Sequence, residues 1–282
     1  MVRPVDKAAV HIARVSSSAV GIRINCPRSI FVSDVHLGCR YGNSQHFLEF
    51  LNTNNPQYLY LVGDILDGWR LARNWYWLDT YNQIIHRLNE LAEGGTEIFY
   101  TPGNHDEFLR EFLTITCLFG KIRMADQFVH TTADDRRLMI LHGDQFDRVV
   151  SRHRLTSGLG DRIYDACLFL NRCINRVWDP LTGSPVQFSK FLKEQVKKVC
   201  NKWNNFEGSV INYARVHGCS GVVCGHIHRP CIKLDSSGLV YCNTGDWVEN
   251  MSAIIESDDG QLAVIHFPPQ DEIANEFTDR VV

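Results

Sequence analysis

The 282-residue chain has no apolar run approaching the roughly 20 residues of a membrane span, and segments such as Leu138–Leu141 are a fraction of that length. Nor has it an excess of charge: 29 Lys+Arg against 32 Asp+Glu leave −3, which points neither to a basic nucleic-acid surface nor to an acidic solvating tail. No Cys-x-x-Cys pair occurs among the ten cysteines, which excludes a zinc ribbon, and a disulfide framework belongs to short secreted domains. They read as reduced thiols, mostly small buried hydrophobes. The first thirty residues lack an uncharged apolar stretch of roughly 7–15 residues, so a secretory signal is not expected and a cytoplasmic location is. What is present, 44% hydrophobic and 22% charged residues, is the balance of a globular protein of one or two domains.

Short runs rich in Val, Ile, Tyr and Phe alternate with helical spacing, the pattern of an α/β protein. Strands are predicted at Ile30–Ser33, Tyr58–Val62, Glu97–Tyr100, Leu138–Leu141, Val222–Cys224, Leu239–Cys242, Met251–Glu256 and Leu262–Phe267. Trp77, Tyr81, Ile84, Ile85, Leu88 and Leu91, closed by Gly94-Gly95, predict a helix crossing between two of them. Residues 1–28 read as an N-terminal arm and 29–282 as the main domain. Within it, 151–217 shows helical spacing and no convincing strand, and carries 11 Lys+Arg against 5 Asp+Glu. A basic helical insert on an acidic remainder is expected.

The informative feature is what ends each strand. Val32-Ser33 runs into Asp34-Val35-His36, Leu61-Val62 into Gly63-Asp64, Thr101-Pro102 into Gly103-Asn104-His105-Asp106, Ile140-Leu141 into His142-Gly143-Asp144, and Val223-Cys224 into Gly225-His226-Ile227-His228. In open α/β sheets ligands bind outside the carboxyl ends of the strands. Read as extended backbone, Asp34 with His36, and His226 with His228, each present two donors to one side. Asp, Asn and His suit Mn, Fe, Zn or Ni rather than a thiolate cluster, and seven such side chains exceed the four of a closed zinc site. Two divalent ions account for the surplus. Each fragment alone is commonplace; five strand ends carrying ligand types in order are not.

This ordered set resembles the calcineurin-like metallophosphoesterases. Within them, the Trp after Gly-Asp-x-x-Asp-Gly, the insert after His-Gly-Asp, and Asn243-Thr244-Gly245-Asp246-Trp247 are similar to the UDP-2,3-diacylglucosamine pyrophosphatase branch. The resemblance implies a two-sheet β-sandwich flanked by helices, with 151–217 as a helical cap. It implies that Asp34, His36 and His228 hold one metal, manganese first among the choices, that Asn104, His142 and His226 hold the other, and that Asp64 bridges them. A carboxylate has two oxygens and can join two cations roughly 3.5–4 Å apart.

His105 is expected to face substrate, with Asp106 behind its other nitrogen; Asn104, His105 and Asp106 thus form the expected catalytic group. Established members of the lipid A branch often have Arg where this chain has His105. Asp67 and Asp144 are expected as supporting or turn residues, and Arg40 and Asn43 as phosphate contacts. In the insert, Lys193 and Lys197 share a helical face with Lys190, away from Phe188 and Leu192, as in a helix that lies on an anionic membrane surface. The expected partner is a phosphorylated substrate, a nucleotide-linked lipid acted on at the inner membrane face, and no nucleic acid. The alternative from the same chemistry is a soluble phosphomonoester or phosphodiester; a non-catalytic scaffold would be favoured by missing ligands, and every ligand position is filled.

Overall fold

The computed structural model describes residues 27–113, 121–146 and 205–268. Two compact units divide the chain, Met1–Gly143 with Ile211–Val282, and Asp144–Val210. Most of the second, including Lys190, Lys193 and Lys197, lies outside the described residues, as do residues 1–26 of the expected arm.

The first unit contains two sheets. One has the order β11-β10-β1-β2-β3-β4, the other β5-β6-β7-β9-β8. The strands are β1 (Ser29–Val32), β2 (Tyr58–Val62), β3 (Glu97–Thr101), β4 (Ile122–Met124), β5 (Phe128–Thr131), β6 (Arg137–Ile140), β7 (Gly221–Cys224), β8 (Cys231–Leu234), β9 (Val240–Asn243), β10 (Ser252–Glu256) and β11 (Leu262–His266). The eight predicted strands are all present. The three added ones, β4, β5 and β8, are short, and β8 is half-exposed, so alternation over so few residues gives little signal.

Strands β1, β2 and β3 run parallel and are almost wholly buried, which is why they read as continuous apolar runs. One face of this sheet, through Phe31, Tyr60, Val62 and Phe99, meets Leu138, Ile140, Val223 and Cys242 of the other sheet. Register aligns Phe31 with Tyr60 and Tyr60 with Phe99, and their rings stack at 4.9 and 4.7 Å. The opposite face, through Ile30, Val32, Leu59, Leu61 and Ile98, packs with α1 (Ser44–Thr53) and α3 (Asp79–Glu93). Helix α3 buries Tyr81, Ile84, Leu88 and Leu91 at the predicted spacing. A short helix, α2 (Gly68–Arg73), follows β2, and a 3₁₀ helix (Glu107–Phe112) follows β3.

The same registers place the site. Val32 pairs with Leu61 and Val62 with Thr101, so the loops after β1, β2 and β3 leave one sheet edge together. Ile140 pairs with Val223 and Cys224 with Asn243 in the second sheet. At the opposite end of β1, Arg28, from the expected arm, reaches Glu256 at 2.7 Å. Glu256 also accepts from the Ser29 hydroxyl, His130 Nε2 and the Ala133 N–H, while Tyr60 Oη lies 3.0 Å from His130 Nδ1.

Candidate metal centre

Five of the seven expected ligands, Asp34, His36, Asp64, His226 and His228, have φ between 50° and 69°. This left-handed conformation is uncommon outside glycine and costs about 1–3 kcal/mol where it is not locally favoured. The extended reading of Asp34-x-His36 and His226-x-His228 is therefore corrected: these residues lie past the strand ends in left-handed turns, and strand alternation does not aim them. The two histidines of the second pair also part company. His228 joins Asp34 and His36, while His226 joins Asp64 and His142, the candidate ligand atoms of each trio lying within 4.8 Å of one another. A third such trio, His36, Asp64 and His105, links them by sharing His36 with the first and Asp64 with the second.

Glycine is required where these loops cross. A Cβ on Gly103 would collide with the Asp64 carboxylate, and one on Gly63, itself at φ 84°, would enter the His142 ring.

Each donor is oriented by a neighbour. His142 Nδ1 lies 2.8 Å from the Val62 carbonyl, so Nδ1 carries hydrogen and Nε2 faces Asp64 Oδ2 at 3.3 Å. Asp64 Oδ1 accepts from the His105 N–H at 2.7 Å. Asp34 Oδ1 lies 2.9 Å from His228 Nε2, and its Oδ2 accepts from the His226 N–H and the Ser33 hydroxyl. Burial opposes ionisation of Asp34, but His228 and His36 hold its carboxyl well below the usual range. For His36, burial disfavours the charged ring, and the carboxylates of Asp34 and Asp67 outweigh it, pushing the pKa up to about 10.

The donor set fits divalent cations on an independent observation. Asn104 Oδ1 is buried and accepts no hydrogen bond among the described residues. An amide oxygen withdrawn from water without a donor costs roughly 1–3 kcal/mol, and coordination would satisfy it. Asp34, His36 and His228 would hold one ion, Asn104, His142 and His226 the other, with Asp64 between them. Imidazole and carboxylate donors suit Mn, Fe, Zn or Ni.

The structure reassigns two supporting residues. Asp106 does not stand behind His105. Gly103 turns the chain so that the buried Asp106 carboxylate accepts from the N–H groups of Gly103 at 2.5 Å and Ile65 at 2.9 Å and from the Tyr100 hydroxyl at 2.5 Å, tying two ligand loops together. Asp67 takes the role instead. Its Oδ1 lies 3.1 Å from His105 Nδ1 and its Oδ2 3.6 Å from His36 Nδ1, so one carboxylate orients both rings. Burial works against that charge, but hydrogen bonds from His105 and His36 keep the carboxyl below its ordinary range.

Asn43 Nδ2 donates one hydrogen to the Val248 carbonyl at 2.8 Å. Arg40 is exposed, with its guanidinium 5.2 Å from the Tyr76 ring. Asp144 is buried.

Sequence reasoning passed over Ser33, Thr244 and Asn243. Ser33 Oγ links Asp34 to Thr244 Oγ1 at 2.6 Å, and Asn243 Nδ2 braces the Gly225 carbonyl at 2.7 Å. The signal was the Asn-Thr-Gly-Asp-Trp run, whose polar members serve the neighbouring ligand loops while Trp247 is fully buried against Phe47 and Phe50. Trp69, singled out in the sequence as a mark of the branch but given no role there, has its ring 4.3 Å from that of His105.

The sequence pattern of the calcineurin-like phosphoesterases matches residues 27–230. The UDP-2,3-diacylglucosamine hydrolase of Shewanella sp. (strain ANA-3) is 25% identical over 253 residues, covering 83% of this chain and 95% of that protein. The protein of the same name from Chromohalobacter salexigens is 23% identical over 78% and 88% of the two chains, and that of Aromatoleum aromaticum 27% identical over 72% and 80%. A pattern spanning most of the chain, and ending just past its last ligand histidine, identifies this protein as a member of the calcineurin-like phosphoesterase family, a metal-dependent hydrolase of phosphoric esters.

Proposed function

We propose that the enzyme hydrolyses the phosphoanhydride of a UDP-linked acylated sugar, of the UDP-2,3-diacylglucosamine type, adding water across P–O–P to release UMP and a lipid monophosphate. The observation that carries this reading is a groove of about 880 Å³ that shares His105 with the metal centre and is otherwise lined mainly by apolar residues, among them Leu66, Trp69, Leu71 and Phe108. A phosphate ester of a small polar alcohol has no use for such a wall. An acyl chain does, and the volume lies within the range of pockets that enclose a ligand. The similarly named relatives support the same substrate class.

Bound divalent cations supply Lewis acidity and a water acidic enough to attack phosphorus near neutral pH. The chain's own residues do the remaining work. Asp67 fixes His105 through Nδ1, leaving Nε2 as the ring atom available to a phosphoryl oxygen or to the departing phosphate. Trp69 packs against the same ring and limits its rotation. Asp106 and Asp64 hold the loop that carries Asn104 and His105, so the substrate-facing and metal-facing groups keep one spacing.

The second reading, a soluble phosphodiester as substrate, is favoured by one observation: a histidine at 105 where lipid A enzymes often have arginine. The test is turnover by the purified full chain with Mn²⁺, comparing UDP-2,3-diacylglucosamine, UDP-N-acetylglucosamine and bis(p-nitrophenyl) phosphate, with phosphorus NMR on the products. The acylated substrate is expected to have the highest kcat/KM by at least about tenfold, since burying even two methylenes is worth about 1.6 kcal/mol. Equal turnover of all three would sink the proposal.

A further inference from the structure

We infer that Asn243 is a positioning residue for the metal centre: its amide sets His226 and His228 relative to each other, and so the two cations they would serve. The inference rests on reading the cluster as a two-cation centre and adds what aligns it.

The topology creates the need. Strand β9 lies between β7 and β8, and its last residue, Asn243, pairs with Cys224 on one side and Cys231 on the other. Residues 225–230, which connect those two neighbours, therefore pass over the end of β9. This crossing loop carries both histidines, His226 at φ 69° and His228 at φ 50°. Two left-handed residues separated by a single one are a conformation that an unsupported loop rarely keeps.

The Asn243 side chain supplies the support at both ends of the loop. Its Nδ2 donates to the Gly225 carbonyl at 2.7 Å, just before His226, and its Oδ1 accepts from the Arg229 N–H at 3.2 Å, just after His228. The same Oδ1 accepts from the Gly245 N–H at 3.0 Å, and Nδ2 also reaches Cys224 Sγ at 3.6 Å. Both donors and both acceptor positions of this buried amide are thus used within the protein. A carboxylate has no hydrogen for Gly225, and a hydroxyl is too short to span the loop.

A second hold acts at one end alone. Asn250 Nδ2 donates to the His228 carbonyl at 3.1 Å and to Asp246 Oδ2, and the buried Asp246 in turn accepts from the Val248 N–H at 2.8 Å. Asn243 governs the two histidines together, and Asn250 governs His228. That difference gives the test.

The experiment is calorimetric titration of Mn²⁺ into the metal-free full chain, with electron paramagnetic resonance of the loaded protein to separate a coupled ion pair from isolated ions. The wild type is expected to bind a coupled pair. Asn243→Ala should weaken both dissociation constants by about 10–100-fold, the usual cost of losing a residue that orients ligands, and give the spectrum of isolated ions. If circular dichroism shows that the alanine variant does not fold, Asn243→Ser carries the same expectation. Asn250→Ala should weaken one constant only. Glu256→Ala, at the far end of β1, should bind Mn²⁺ as the wild type does, so that a general loss of stability is told apart from a loss of position. Three results would overturn the inference while leaving the metal centre standing: Mn²⁺ binding within twofold of wild type in a folded Asn243 variant, a change there in one constant only, or an equal loss in Glu256→Ala. A wild type that holds no pair of ions would overturn the metal centre itself, and the inference with it.

Discussion

Two buried carboxylate–histidine clusters lie at opposite ends of β1, and they are finished differently. At the Ser29 end, Glu256 accepts from four donors, and His130 is held at both ring nitrogens. At the Asp34 end, Asp34 and Asp64 lie among histidines in groups that could hold cations, five residues are held in left-handed turns, and one buried acceptor, Asn104 Oδ1, has no donor among the described residues. A cluster that serves only the fold satisfies itself. One that is completed by cations keeps an excess of acceptors, and the backbone strain around it is tolerated because Asp106, Ser33 and Asn243 hold the loops in place.

Substitution should separate the two ends cleanly. Asp64→Asn is expected to lower kcat by well over the roughly 100-fold that loss of a residue supporting a ligand can cost, and to halve the bound metal. The Tm of the metal-free protein should fall by less than Glu256→Ala produces, because burial and Asp34 oppose the Asp64 charge even though His142 holds its carboxyl below the ordinary range. Metal analysis and a chelated thermal melt check both halves. Glu256→Ala should do the reverse. Removing one partner of a buried ion pair costs about 3–5 kcal/mol, to be read as a lower urea midpoint, while kcat of the folded fraction is unchanged.

Asp67→Asn tests a residue at the border of the two behaviours. It is satisfied, by Arg70, His36 and His105, yet what it satisfies belongs to the site. A loss of about 10–100-fold in kcat is expected, with a smaller change in Tm than Glu256→Ala produces. If kcat stays within twofold, His105 is oriented by something other than Asp67.

How much of this was legible beforehand follows from what kind of choice each residue represents. The candidate ligands Asp34, His36, Asp64, Asn104, His142, His226 and His228 could be picked out because chemistry restricts their residue type and the strands deliver them to one edge. Their direction was not legible, since it comes from left-handed turns that alternation does not encode. The partner of His105 was misassigned because Asp106 is adjacent in sequence, whereas the turn at Gly103 carries it under its own loop and brings Asp67 across from another. Asn43 looked free beside His36 and is used by Val248, far along the chain. The short strands β4, β5 and β8 gave too few residues for a period to show. The predicted helix, by contrast, rests on fifteen residues with one apolar face.

The pH dependence of stability sharpens the same comparison. Burial raises the Glu256 pKa, but the hydrogen bonds from His130, Ser29 and the Ala133 N–H outweigh it and hold the carboxyl below its ordinary value. A folded-state pKa below the unfolded one, about 4.3 for Glu, means that the stabilisation is complete above the unfolded value and is lost as pH falls through the folded one. Urea midpoints of the metal-free wild type should therefore drop between about pH 5 and pH 3. Glu256→Gln should show a shallower drop over that window, and equal slopes for the two proteins would place the acid sensitivity elsewhere.

The smallest effect expected is that of Tyr60→Phe. The Tyr60 hydroxyl lies 3.0 Å from His130 Nδ1 in the interior, and it can donate to that nitrogen or accept from it, so the cluster stays closed in either protonation state of the ring. Removing it leaves the stacking of Tyr60 between Phe31 and Phe99 in place and withdraws one hydrogen bond. The cost should be about 1–3 kcal/mol, toward the lower end if water reaches the vacated space, with activity unchanged. A loss of activity instead would mean that the two ends of β1 are coupled through the aromatic stack, and the division between a cluster for the fold and a cluster for the reaction would fail.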